Sequence, residues 1–128
     1  MICKEIFESA LRLLGESAET GDNDDYEERA PYLLASLCTD LCELDSALCR
    51  SAGLEPSKAS HPLWIALESE FPLCARLASA AAFYLAAMLV IDYDEELSDK
   101  LYDRYCDSVS VISSAIPFEI ESIINRYI

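Results

Sequence analysis

Basic residues are scarce in this chain of 128 residues, which carries 9 Lys and Arg against 24 Asp and Glu and a formal net charge of -15. Affinity for nucleic acid depends largely on Lys and Arg contacts to phosphate groups. The charge balance therefore argues against sequence-specific binding of DNA or RNA.

Glycine and proline are also rare, with 3 and 5 residues, whereas 52% of the chain is hydrophobic. This composition excludes a disordered chain. The apolar residues recur at helical spacing and leave little room for strands. Because 128 residues can bury one sizeable core, we predict a single all-α domain over residues 1–128, with its core in residues 3–116.

No uncharged run reaches the ~20 residues that a membrane-spanning helix needs. The longest such run, residues 77–91, is rich in alanine and predicts a packed helix. The first residues lack the basic segment and unbroken apolar core of a secretion signal. We therefore expect no membrane association and synthesis in a reducing cytoplasm.

Residues suited to catalysis are few. His61 is the single histidine, and the chain contains no Gly-x-Ser-x-Gly, His-Glu-x-x-His or glycine-rich phosphate motif. General acid–base chemistry most often uses histidine. We predict no enzyme activity, no catalytic residue and no cofactor.

Six cysteines are present, but their spacing does not form a metal-binding motif. Cys38, Cys42 and Cys49 share one side of a predicted helix with Asp45. On one continuous helix Cys38 and Cys49 would lie about 16 Å apart, too far to share a zinc ion. Without a Cys-x-x-Cys pair, the thiols are interpreted as small apolar residues, and no metal site is predicted.

The periodicity predicts a small bundle of about four main helices. The first covers residues 3–14 and ends at Gly15. The second runs from about residue 26 to residue 50, with a kink at Pro31 or, alternatively, a start at Pro31. The third, residues 73–92, and the fourth, which is capped by Asp94 and ended by Pro117, form a long αα-hairpin. A short helical tail follows over residues 117–128.

The third helix is apolar all round, which normally requires a large core. A chain of this size has a small core, so we expect another copy or a partner to cover part of that helix. Asp45 is a second anomaly, because it falls on the apolar side of the second helix. Either the helix end is open to solvent there, or the carboxylate is paired or caps a helix at a subunit contact.

The connection over residues 52–72 is unusually long for a compact domain, and such loops are commonly functional. Its aromatic residues and the apolar positions of the tail are the predicted protein contacts. These candidates are Trp64, Phe71, Ile120, Ile123, Ile124 and Tyr127.

Three stretches taken together resemble the small head–tail connector (adaptor) proteins of tailed phages and prophages. They are ALRLLGE at 10–16, RAPYLL at 29–34 leading into LCELD at 41–45, and FPLCARL at 71–77 running through YLAA at 84–87 to DYD at 92–94 and YDRY at 102–105. Their order and spacing cover nearly the whole chain.

The resemblance implies an all-α structural subunit that forms a homo-oligomeric ring below the portal and joins the DNA-filled head to the tail. It implies portal and tail-completion proteins as partners, and a location in the host cytoplasm during assembly and then in the virion. An acidic chain suits a channel through which DNA slides without being held.

A function from another class is kept as the alternative. In that reading the chain is a small acidic helical regulator or inhibitor encoded by a prophage, which mimics nucleic acid or binds a host protein. A mimic would display its acids in a regular exposed array, whereas the sequence concentrates them over residues 16–28 and on the outer side of the fourth helix.

Overall fold

The computed structural model describes residues 1–15, 24–55 and 62–116, which form an all-α bundle, as predicted. The helices are α1 (Cys3–Leu13), α2 (Asp24–Asp40), α3 (Cys42–Ser51), α4 (Ala78–Val90) and α5 (Glu95–Ser114), with a 3₁₀ turn at Ala75–Leu77. Within the described ranges no helix is both long enough and apolar enough to cross a membrane. The predicted tail lies outside these ranges.

The helix ends agree with the local sequence signals. Gly15 and Gly53 follow α1 and α3, each with φ 75°, a backbone conformation that glycine adopts without steric cost. Asp94 caps α5, since its Oδ1 accepts a hydrogen bond from the Leu97 N–H at 3.1 Å. The predicted αα-hairpin is confirmed: α4 and α5 pack against each other and are joined by residues 91–94.

The second predicted helix is two helices. Helix α2 runs through Pro31, so no helix begins at that residue, and the interruption comes at Leu41. Hydrogen bonds from the Leu41 N–H to the Leu37 carbonyl and from the Asp45 N–H to the Leu41 carbonyl, both 2.9 Å, continue helical bonding on either side. The apolar spacing also continues across the break, so side-chain periodicity alone does not reveal it.

Helix α4 occupies the centre of the bundle, in contact with α1, α2 and α5. Its fully buried residues are Ala80, Ala81, Leu85, Ala86, Ala87 and Leu89. Small alanine side chains let the surrounding helices approach closely, so a 13-residue helix can be enclosed by a small chain. The apolar faces of this helix therefore do not by themselves require a second copy or a partner, because three helices of the same chain cover most of its surface.

The connection that leads into α4 is held by the first residues of the chain. The Cys3 N–H donates to the Ser69 carbonyl at 2.9 Å, and the Phe71 N–H donates to the Met1 carbonyl at 2.9 Å. An antiparallel bridge pairs Ile2 with Glu70. This extended part of the connection satisfies N–H groups at the start of α1.

Candidate interaction surface

Three large apolar side chains are exposed where the connection meets α2. Leu63 and Trp64 expose 87% and 53% of their surfaces, and Tyr32 exposes 58%. The Ile65 N–H donates to the Pro31 carbonyl at 3.2 Å, which holds this part of the connection against the helix. Trp64 and Tyr32 each adjoin one end of that hydrogen bond, so their backbones lie close together. We call these three exposed residues the Trp64 patch (Tyr32, Leu63 and Trp64).

Phe71, another of the predicted contact residues, does not join this patch. Phe71 is 8% exposed and lies in the hydrophobic core, so its assignment to a contact surface is wrong. Its backbone bond to Met1 draws the connection inward at that point, and burial of the aromatic ring follows. Ile120, Ile123, Ile124 and Tyr127 lie outside the described residues.

Asp45 is buried inside the chain, with 4% of its surface exposed. Its Oδ1 accepts a hydrogen bond from the Cys74 N–H at 2.6 Å, just before the 3₁₀ turn that begins α4. The interpretation of an open helix end is therefore wrong. The carboxylate is paired, as the alternative expected, but the N–H that it binds belongs to its own chain.

Arg29 joins α2 to the end of α4, a contact that the spacing of residues along the sequence does not predict. Its guanidinium donates to the Met88 carbonyl at 3.0 Å and the Leu89 carbonyl at 3.3 Å, and lies 3.4 Å from Asp25 Oδ2. The Tyr93 hydroxyl donates to the same carboxylate at 3.0 Å, and this bond raises the pKa of Tyr93. A cation at the carboxyl end of a helix also complements the helix dipole.

The thiols differ in exposure. Cys3 and Cys38 are buried, Cys42, Cys49 and Cys74 are half-buried, and Cys106 is exposed. Burial, with smaller contributions from Cys3 and Asp45, raises the pKa of Cys38 to about 12, so this thiol is neutral at physiological pH. The break at Leu41 places Cys38 and Cys49 on different helices. A search of the described residues finds no group of His, Cys, Asp or Glu arranged to hold a metal ion.

An open groove of about 530 Å³ lies between the end of α4 and the first half of α5. We call it the acidic groove. It is lined by Met88, Ile91, Ser98, Asp99, Tyr102 and Asp103.

Comparison of the chain with known protein families, with curated proteins and with solved structures finds no match. The features that bear on function are therefore the Trp64 patch, the acidic groove and the resemblance in sequence described above.

Proposed function

We propose that this chain is a structural subunit of a phage or prophage head–tail connector, which assembles into a ring below the portal and joins the head to the tail. The resemblance supports this proposal, and several of its described residues lie where helices meet. Arg29 binds the end of α4, Asp45 binds the Cys74 N–H, and the rings of Tyr84 and Tyr105 lie 5.2 Å apart between α4 and α5. The resemblance thus includes residues whose contacts hold the helices against each other.

The Trp64 patch is the observation that carries the assembly role. The core of the subunit is already closed around α4, so the exposed Leu63 and Trp64 are not needed to complete it. Tryptophan and tyrosine are enriched at protein interfaces and among the residues that dominate binding energy. We therefore assign the patch to contacts between neighbouring subunits or with the portal.

The charge of the chain fits a DNA passage. A formal net charge of -15 gives the subunit a field that repels the DNA backbone. A ring of such subunits would let DNA move through its centre without holding it. In this proposal the protein is not an enzyme, assembles in the host cytoplasm, and is later part of the virion at the head–tail junction.

Sedimentation velocity of the purified protein, alone and with the purified portal protein of the same phage or prophage, tests the proposal. We expect ring-sized particles in at least one of these samples, seen also as rings by negative-stain microscopy. The double variant L63S/W64S should remain monomeric and keep the wild-type circular dichroism spectrum. The matched control V111S removes another exposed apolar side chain, on α5, and should assemble like the wild type.

Two outcomes would count against the proposal. A wild-type protein that stays monomeric and ignores the portal would exclude the connector role. A variant L63S/W64S that assembles as readily as the wild type would exclude the Trp64 patch as the contact surface.

The acidic regulator remains a second candidate because α5 displays one regular row of acids. Glu95, Asp99, Asp103 and Asp107 are all exposed and follow each other at intervals of four residues. On an α-helix this interval is about 6 Å along the axis. A regulator would form no ring, either alone or with the portal, so the same sedimentation experiment distinguishes the two functions.

A further inference from the structure

We propose that the acidic groove binds a positively charged amphipathic segment of another protein, one that carries Lys or Arg beside apolar side chains. The residues of the groove differ from those of the Trp64 patch, so this site does not depend on formation of a ring. The inference combines the apolar wall of the groove, two carboxylates that have no ion pair within the part of the chain that the structure describes, and a rigid framework.

The apolar wall comes from both helices of the hairpin. Ile91 at the end of α4 and Tyr102 on α5 expose 44% and 41% of their surfaces, and Met88 is half-buried between them and the core. The volume of about 530 Å³ lies within the range of pockets that bind small ligands. It therefore accepts a few side chains of a partner and is too small for a folded domain.

Two carboxylates on the same side of α5 give the groove its charge. Asp99 and Asp103 line it, and neither has an ion pair among the described residues. The two cations nearest in sequence have other contacts, because Lys100 pairs with Glu96 at 3.5 Å and Arg104 lies 6.0 Å from the centre of the Phe83 ring. A partner segment with Lys or Arg beside its apolar residues would complement both the charge and the apolar wall.

The groove is held in shape without a ligand. The Ser98 hydroxyl donates to the Ala87 carbonyl at 2.8 Å and is buried, which fixes α5 against α4 at the base of the groove. The Tyr102 ring lies 5.5 Å from the Tyr105 ring, which in turn packs on Tyr84. A preformed site of this kind loses little conformational entropy when a partner binds.

Fluorescence anisotropy with a labelled synthetic peptide tests the inference. The probe is an amphipathic helical peptide of Leu and Lys, and the comparison peptide has the same lysines with every Leu replaced by Ser. We expect the amphipathic peptide to bind at least about tenfold more tightly than the Ser peptide, which corresponds to about 1.4 kcal/mol. The variant D99N/D103N should weaken its binding by about tenfold, and I91S by a smaller factor.

The control E28Q/E43Q removes two exposed carboxylates from α2 and α3, so it changes the net charge equally outside the groove. It should alter binding by less than about twofold. Equal weakening by both double variants would show that only the overall charge attracts the peptide and would overturn the site. Equal affinity for both peptides, or no binding, would also overturn it. The variant L63S/W64S should bind the amphipathic peptide with wild-type affinity. Absence of ring assembly and absence of peptide binding are therefore separate results.

Discussion

Asp45 shows how much of the fold can depend on a single buried carboxylate. It accepts the Cys74 N–H at 2.6 Å, and removal of the acceptor would leave that N–H without its partner. We expect Asp45→Ala to lower the free energy of unfolding by about 1–3 kcal/mol, and Asp45→Asn, which keeps an acceptor oxygen, to lower it by less. Urea denaturation followed by circular dichroism measures both values.

The neighbouring variant Glu43→Ala provides the control, because Glu43 is an exposed acid on the same helix. Its effect should stay near 0.5 kcal/mol, in keeping with ordinary surface substitutions. Equal losses for Asp45→Ala and Glu43→Ala would mean that the buried hydrogen bond does not support the start of α4.

Two other buried groups make the folded protein sensitive to alkali. Burial raises the pKa of Cys38 from 9.0 to about 12 and that of Tyr105 from 10.0 to about 12. At a pH between the ordinary and the raised pKa of each group, the folded protein keeps a proton that the unfolded chain has lost. The contribution of these two protonated groups to the free energy of unfolding is thus complete below about pH 9. It falls as the pH rises towards 12, by up to about 1.4 kcal/mol per pH unit for each group.

Urea denaturation at a series of pH values above about 8 measures this fall. In Tyr105→Phe the ring stays and the ionisable hydroxyl is lost, so the decline above pH 10 should be shallower than in the wild type. A decline with the same slope in both proteins would contradict a protonated, buried Tyr105.

At the scale of elements, α4 depends on small side chains for its enclosure. Ala87 is fully buried in the hairpin, and its carbonyl accepts the bond from Ser98. We expect Ala87→Leu to destabilise the protein by about 1–3 kcal/mol, because a larger side chain would force α5 away. Thermal unfolding by differential scanning calorimetry measures this loss.

Ser79 is exposed near the start of the same helix and gives the matched control. Ser79→Leu adds similar bulk without a neighbour to displace and should change stability by less than about 0.5 kcal/mol. If the two leucine variants unfold at the same temperature, the close approach of helices around α4 is not what its alanines provide.

Helix ends that are set by a residue nearby in the sequence could be predicted. Features that depend on contacts between distant parts of the chain could not. Gly15 and Asp94 act on their own helix ends, so α1 and the hairpin follow from short-range signals. The burial of Phe71 accompanies a backbone bond to the distant Met1, and no local sequence signal marks the break at Leu41. The core position of α4 could not be predicted, because periodicity shows which faces of a helix avoid water and does not show which segments cover those faces.

One part of the candidate interaction surface could be predicted from the sequence and another part could not. Trp64 is exposed, as expected of a connection that runs over the surface, and its role as a contact residue stays a prediction. The acidic groove was not foreseen, because its wall joins Ile91 of the turn to Tyr102 of α5 and its carboxylates appear in the sequence as an ordinary solvated face. Only the packing of the hairpin brings these residues together.

At the scale of the whole molecule, the subunit has a closed core and an exposed apolar patch. Because helices of the same chain enclose α4, the burial of this helix does not depend on assembly. A ring would instead form from folded subunits through the Trp64 patch, and the proposal predicts that the patch variant L63S/W64S folds normally while it fails to assemble. Circular dichroism and sedimentation on the same samples separate these two properties.

An electron cryomicroscopy map of the protein assembled with its portal tests the connector assignment most directly. We predict a closed ring below the portal, with α4 enclosed within each subunit and Leu63 and Trp64 buried at a contact with a neighbouring subunit or the portal. A portal that carries no such ring, or a ring in which Trp64 faces solvent, would contradict the account.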